Sequence, residues 1–351
     1  MSESMLAAVY HGPEDLRVEM RPVPGLESGE VLLKVLSTGI CGTDIRILHG
    51  AHRKYNPGTV RIPGHEVVGD IVKVGEDVAG FEVDQRVFMA PNIGCGHCRQ
   101  CISGNNNLCA NYDAPGITFD GSFAEYMRVP SAAILQGNLI PISKEVDHAA
   151  AALIEPFACV LRGQDVVQIQ PGESVLVVGA GPIGIMHVML AQLRGAGQVM
   201  VSELSPERAA QARDFGADWV VNPTEEDLPA VIEEQTNGAG VDVVIVAAPA
   251  HRAQETAVEL AAIGGRINFF GGLPKDRPTI QMNSNLVHYK ELIVTGTTAC
   301  STQDCHRAAS IVNSGRIDLS KLIGARFPLS EAAQAFFVAK SGKALKVVLE
   351  P

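Results

Sequence analysis

The rhythm of apolar positions changes near residue 173. Before it, short β-branched runs such as Val31–Val35 and Val67–Val74 alternate with stretches rich in Gly and Pro. Many short strands joined by tight turns predict a barrel or sandwich rather than a helical bundle. From about Glu173, apolar runs appear at Ser174–Gly179, Val199–Glu203, Asp218–Val221, Val241–Val246, Arg266–Phe270 and Glu291–Thr295. Helix-like segments lie between most of them, at Pro182–Arg194, Pro206–Phe215, Glu225–Gln235 and Arg252–Ala262. Strand–helix alternation of this kind predicts a doubly wound parallel sheet. After about Ala299 come helical stretches near Asp304–Asn313 and Glu331–Ala339 and a closing strand, Leu345–Leu349. The pattern does not say which of the two units that tail joins.

A chain of 351 residues exceeds the usual domain length of roughly 150 by more than twofold, which agrees with two units. Hydrophobic residues at 46% and charged residues at 19% exclude a disordered, collagen-like or coiled-coil chain. A net charge of −11 argues against nucleic acid or an anionic membrane surface as partner and leaves a small molecule. No apolar run reaches the roughly 18–20 residues of a membrane span. Met1–Gly12 shows no basic start followed by an apolar core, so the expected location is cytoplasmic.

Gly179, Gly181 and Gly184, with Pro182 and Ile183 between them, form G-x-G-x-x-G where the first strand of the alternating region meets a helix. The first glycine permits the turn, the second lets a pyrophosphate approach the backbone, and the third lets helix and strand pack closely. The pyrophosphate would face the partly positive helix start. Glu203 closes the second strand, where a carboxylate accepts hydrogen bonds from an adenine ribose and repels a 2′-phosphate, favouring NAD over NADP. Arg208 complicates the choice, since it can meet a phosphate or stack on adenine. Ala247, Ala248 and Phe270 fall at strand ends on the carboxyl edge of the sheet, where ligands of such sheets bind. Apolar strand ends are also common without a ligand.

Cys95, Cys98, Cys101 and Cys109 have the spacing C-x2-C-x2-C-x7-C in a Gly-containing loop. Four thiolates close a tetrahedral shell around a structural zinc, and an iron–sulfur cluster is the competing reading. A second set is dispersed: Cys41, His65 with Glu66, and Glu155. Singly, each has a plain structural explanation: a small buried thiol, a satisfied core histidine, a helix-start acid. Cys159, Cys300 and Cys305 are read as unliganded thiols.

Together, Gly39–Asp44, Gly64–Gly69, the Cys95–Cys109 lobe, Ile154–Pro156 and the Gly179–Gly184 fingerprint resemble the zinc-containing medium-chain dehydrogenase/reductase family over essentially the whole chain. Within it the chain is most similar to the polyol branch that includes sorbitol and L-iditol 2-dehydrogenases. The resemblance implies a GroES-like β-barrel catalytic domain, residues 1–156 and 299–351, around an inserted Rossmann domain, residues 157–298. It implies one catalytic zinc on Cys41 and His65, completed by Glu155 directly or through water, with Glu66 able to exchange in as a ligand. It also implies one structural zinc on the four-cysteine lobe, Thr43 as the hydroxyl that takes the substrate proton, and contact of the nicotinamide half with the backbone near Ala247, Ala248 and Phe270.

The implied reaction is hydride transfer from a secondary alcohol of a polyol to NAD. The alternatives are an L-threonine-type substrate, a sugar-alcohol phosphate, or an NAD(H)-binding sensor without turnover. The family's usual dimers or tetramers imply a homo-oligomer, with Ile267–Leu273 and Leu286–Val294 as candidate interface. One departure stands out: Arg46 occupies the position where the family often has the outer histidine of the proton relay. An arginine stays charged and does not shuttle protons, and His49 nearby is read as a surface residue.

Overall fold

The computed structural model describes residues 3–351; Met1 and Ser2, where the N-terminal reading begins, lie outside the described residues. The chain divides into two compact units, Met1–Ala158 with Cys300–Pro351, and Cys159–Ala299.

The first segment supplies β1 (Ser4–Gly12), β2 (Asp15–Pro22), β3 (Val31–Gly39), β4 (Glu66–Val74), β5 (Arg86–Met89), β6 (Tyr126–Val129) and β7 (Leu139–Pro141). The inserted unit carries β8 (Ser174–Val178), β9 (Gln198–Ser202), β10 (Trp219–Val221), β11 (Val241–Val246), β12 (Ala261–Phe269) and β13 (Ile293–Gly296). The returning segment adds β14 (Ile323–Pro328) and β15 (Lys346–Glu350).

In the first unit β1 and β2 form an antiparallel pair, and the larger mixed sheet has the order β14-β15-β3-β4-β5-β7, with β6 also on β3. The β3 strand is buried at seven of its nine positions, Lys34 being the exposed one, because both of its faces are largely covered. Val31, Leu33 and Val35 pack with Val67, Ile71, Val87 and Met89. A second core gathers Ala7, Val9, Phe123, Phe336 and Leu349. Phe336, on the Ala332–Ser341 helix, meets Phe123 edge to face at 5.6 Å, which ties the returning segment to the first.

In the inserted unit all strand pairs are parallel, in the order β10-β9-β8-β11-β12-β13. Counted from β8, this is 3-2-1-4-5-6, the doubly wound dinucleotide-binding order. The central runs Val175–Val177 and Val243–Val246 are fully buried, as a parallel sheet covered on both faces requires. In this unit two of the expected boundaries depart from the periodicity reading by three or more residues. The helix expected from Glu225 starts at Leu228, with Pro229 in its first turn, where the missing N–H costs nothing. The helix expected to reach Ala262 stops at Leu260, and β12 begins at Ala261, with a register shift against β11 and Gly264 at φ +73°. That irregularity hides the strand's first residues from a period-two pattern. Among the described residues no helix is long and apolar enough to cross a membrane.

Candidate active site

The Cys95–Cys109 lobe gathers its four thiols without a disulfide. Sulfur–sulfur separations are 4.0 Å for Cys95–Cys101, 3.5 Å for Cys98–Cys101 and 3.8 Å for Cys98–Cys109. A tetrahedral zinc with bonds of about 2.3 Å sets its sulfurs roughly 3.8 Å apart, so the cluster has the size of a zinc shell. Gly94 makes room for it, since a Cβ there would stand 2.5 Å from Cys101 Sγ. Backbone N–H groups of His97 and Cys98 lower the Cys95 thiol to about 6, whereas burial pushes Cys101 up to about 12. Metal binding displaces such protons.

A second set forms where β3 and β4 end. Cys41 caps the Gly42–Leu48 helix: its Sγ accepts from Thr43 N at 3.5 Å, while the Asp44 carboxylate accepts from Cys41 N at 2.8 Å. Gly64, at φ +96°, turns the chain into β4, where a Cβ would collide with Phe123 and Ser122 at 2.6 Å. His65 and Glu66 follow, both buried, and Cys41, His65 and Glu66 bring their ligand atoms within 4.8 Å of one another. Asp44 Oδ1 lies 3.5 Å from His65 Nδ1, and neither atom has a closer partner. This leaves Nε2 as the ring nitrogen available to a metal, with Asp44 orienting the imidazole from behind. Burial works against the charged His65 ring, but the Asp44 carboxylate and Cys41 outweigh it and hold its pKa well above the usual value. A half-buried thiol with a buried imidazole and a buried carboxylate, their ligand atoms within 4.8 Å of one another and an orphaned donor and acceptor behind the ring, fit a zinc.

Glu155 opens the Ile154–Asp165 helix, is buried, and stands outside that 4.8 Å set. Its Oε1 is 3.8 Å from Cys300 Sγ, which lies 3.5 Å from Cys305 Sγ. The two thiols read as plain are therefore packed beside this acid. Thr43 Oγ1 accepts a hydrogen bond from Arg46 Nη2 at 3.0 Å, and His49 Nδ1 meets the Glu14 carboxylate instead of any relay member.

In the inserted unit a cavity of about 830 Å³ opens at the carboxyl edge of the sheet. Gly179, Gly181, Pro182, Ile183 and Gly184 line it, as do Glu203, Arg208, Ala247 and Ala248. A Cβ on Gly184 would stand 1.8 Å from Gly179 O, whereas Gly181 faces open space. Gly181 also caps the Pro182–Leu193 helix without any side-chain hydrogen bond, leaving its first N–H groups for an anion. Glu203 accepts from Ala180 N at 2.6 Å, Leu204 N at 2.8 Å and Ser205 N at 2.9 Å, so its carboxylate is fixed against the glycine turn. Phe270 is not part of the lining; its ring packs edge to face on buried His187 at 4.8 Å.

Two members of the metal neighbourhood went unread in the sequence. Asp44 carried a signal, since an acid three residues after a capping position is a capping-box pattern. Lys346 carried a weaker one, a lysine opening an apolar strand. Its Nζ lies 2.7 and 2.5 Å from the two Glu66 oxygens and 3.0 Å from Ile40 O. Burial opposes this ammonium, but the charges of Glu66 and Cys41, the Glu66 hydrogen bond and the Glu155 charge hold its pKa above the ordinary value.

A family model of the alcohol dehydrogenase GroES-like domain matches residues 27–141, and one of zinc-binding dehydrogenases matches residues 182–314. The chain is 35% identical to the L-threonine 3-dehydrogenase of Pyrococcus horikoshii, over 99% of both chains. It is 33% identical to the sorbitol dehydrogenase of Halalkalibacterium halodurans, over 99% of this chain and 98% of the relative. A putative zinc-binding dehydrogenase from Sinorhizobium meliloti, solved bound to NADP, superposes over 100% of both chains with a TM-score of 0.91 at 32% identity. Fold order, metal-ligand clusters and these matches agree: the chain belongs to the zinc-containing medium-chain alcohol dehydrogenase family.

Proposed function

We propose that the protein oxidises a secondary alcohol of a polyol to the ketone, with NAD as hydride acceptor. Zinc held by Cys41 and His65 would supply Lewis acidity that makes the alcohol oxygen alkoxide-like, while NAD supplies the acceptor. Thr43 takes the hydroxyl proton. Because Arg46 already occupies one of its lone pairs, the Thr43 hydroxyl keeps one acceptor site and its own hydrogen, enough to receive the proton and release its own to solvent. Arg46 orients that hydroxyl without accepting the proton.

Buried Glu155 carries the polyol reading. A carboxylate in the ligand set, directly or through water, would make a harder, more hydrated site than a second cysteine, which suits a substrate with neighbouring hydroxyls. A second reading rests on Arg46 and Arg53, exposed cations with no acidic partner among the described residues. They could receive the carboxylate of an L-threonine-type substrate or the phosphate of a sugar-alcohol phosphate. His52 adds no charge there, since burial, helped by Arg46 and Arg53, lowers it to about 4.

NADH formation with C4–C6 polyols, L-threonine and sugar-alcohol phosphates, repeated after chelation, decides between these. Chelator-sensitive turnover of a polyol series supports the first reading; turnover confined to threonine or a phosphate ester removes it. A protein that binds NADH without metal-dependent turnover of any alcohol would instead be a sensor.

The NAD preference rests on Glu203, and Glu203→Ala is expected to lower the NAD-to-NADP ratio of kcat/KM by roughly tenfold, about 1.4 kcal/mol. An unchanged ratio would mean that the carboxylate does not face the ribose. We also place the protein in the cytoplasm as a homodimer or homotetramer. The outer edge of β13 is unpaired in its sheet, with Tyr289 and Ile293 exposed beside it, and this supports association through the inserted unit.

A further inference from the structure

The Thr302–Asn313 helix begins just after Cys300, whose Sγ lies 3.8 Å from Glu155 Oε1. Ser301 and Asp304 form a capping box in which each side chain accepts the other's backbone N–H. Thr302 N stands outside that box. It donates to Asn106 Oδ1 at 2.9 Å, across 196 positions, while Asn106 Nδ2 donates to Thr302 Oγ1 at 3.0 Å and to Asn92 O. Asn92 Nδ2 in turn donates to Cys300 O at 2.9 Å. Asn106 opens the short turn Asn106–Leu108 inside the four-cysteine lobe, and its carbonyl accepts from Cys109 N at 3.1 Å. A Cβ on Gly94 would stand 2.5 Å from Cys101 Sγ and 3.0 Å from Asn106 Cβ, so one close-packed spot holds both the sulfur and the asparagine.

The plain alternative is that buried asparagines merely satisfy one another. A helix start, however, ordinarily finds acceptors for its orphan N–H groups nearby or in water. Here the residues on both sides of the cap, Cys300 and Thr302, are tied to Asn92 and Asn106, the first just before Cys95 and the second between Cys101 and Cys109. Asn106 is 7% exposed, and its amide is engaged in full on the donor side and at one oxygen lone pair. The frame held in this way contains the thiol that touches Glu155.

We infer that Asn106 is a positioning residue that couples the two metal sites: the filled lobe fixes Asn106, Asn106 fixes the helix start, and Cys300 then steadies the Glu155 carboxylate for the catalytic metal. The inference goes beyond the proposed reaction and rests on that reading's assignment of Cys41, His65 and Glu155 to one metal.

The test uses the full chain with zinc in the lobe and cobalt(II) in the Cys41–His65 site, following the cobalt absorption and its release to EDTA. Asn106→Ala is expected to shift the absorption and to speed release roughly tenfold, the scale of effects from groups that orient metal ligands. The alcohol KM should rise while NADH affinity stays unchanged. Asn106→Asp should stay within about twofold of wild type, because its carboxylate still accepts from Thr302 N at a helix start that favours negative charge, and Asn92 O keeps Asn138 Nδ2 at 2.8 Å. Cys300→Ala should speed release as Asn106→Ala does, and the double variant no further. Cys109→Ser, which opens the lobe, should release cobalt at least as fast when assayed below its Tm. Unchanged release in Asn106→Ala or Cys109→Ser, or effects of Asn106→Ala and Cys300→Ala that multiply, overturns the inference alone. If Asn106→Ala does not fold or loses the lobe zinc, Thr302→Pro decides, since proline at the first helical position removes the same N–H without touching the lobe. Release at the wild-type rate in that variant overturns the inference, and roughly tenfold faster release supports it. A wild-type chain that takes up no cobalt outside the lobe removes the catalytic-metal assignment and the inference with it.

Discussion

Cys41→Ser is expected to abolish alcohol oxidation while leaving NADH affinity unchanged. Activation of an alcohol by a Lewis acid is worth several kcal/mol, so the fall in kcat should be on the order of 10³-fold or more. The serine hydroxyl does not replace the thiolate: it stays protonated at neutral pH and brings no negative charge. The change also reaches the local frame, because Cys41 Sγ accepts the Thr43 N–H at the start of the Gly42–Leu48 helix. Serine is itself a good cap, so that helix should survive. The cavity lined by Gly179–Gly184 and Glu203 draws on none of these residues. Quenching of protein fluorescence by NADH, alongside metal analysis showing one zinc instead of two, checks both halves. Loss of NADH binding together with turnover would contradict the assignment of the metal and cofactor roles to separate units.

Cys109→Ser should act in the opposite way, through stability before chemistry. Cys109 is the buried member of its cluster, at 4% exposure, and its sulfur lies 3.8 Å from Cys98 Sγ. Removing one of four thiolates opens the shell and leaves three half-buried thiols without the metal that joins them. A structural zinc contributes folding energy directly. A loss of about 3–4 kcal/mol corresponds to a fall in Tm on the order of 10 °C for a unit of this size. Calorimetry with zinc analysis measures it. A Tm within about 2 °C of the wild type, with the zinc gone, would show that the lobe folds on its other contacts.

What could be read from the chain alone followed how local the cause was. Strands β8 to β11 were legible because a parallel sheet buried on both faces imposes short continuous apolar runs, and the glycine turn because its steric demand lies within six residues. The four-cysteine lobe was legible for the same reason. The dispersed set was not: Cys41, His65 and Glu155 are ordinary residues until β3, β4 and the Ile154–Asp165 helix bring them into one unit, and only the family resemblance singled them out. Phe270 was named for its strand-end backbone; its ring packs on His187, a side-chain contact that strand-end position does not reveal. Lys346 was the hardest to see. Its role depends on an acid 280 positions earlier, and no periodicity spans that distance.

The same separation bears on how the molecule is made. Lys346 bonds to Ile40 O across 306 positions, and β3 gains its neighbour β15 only from the returning segment. At ribosomal speeds of about 5–20 residues per second, roughly 15–60 s pass between synthesis of the two. The inserted unit, continuous in sequence, can close its sheet in that interval, and so can the four-cysteine loop. During the wait Glu66 has no ammonium beside it. The sheet around the Cys41–His65–Glu66 cluster is therefore completed only when the returning segment arrives.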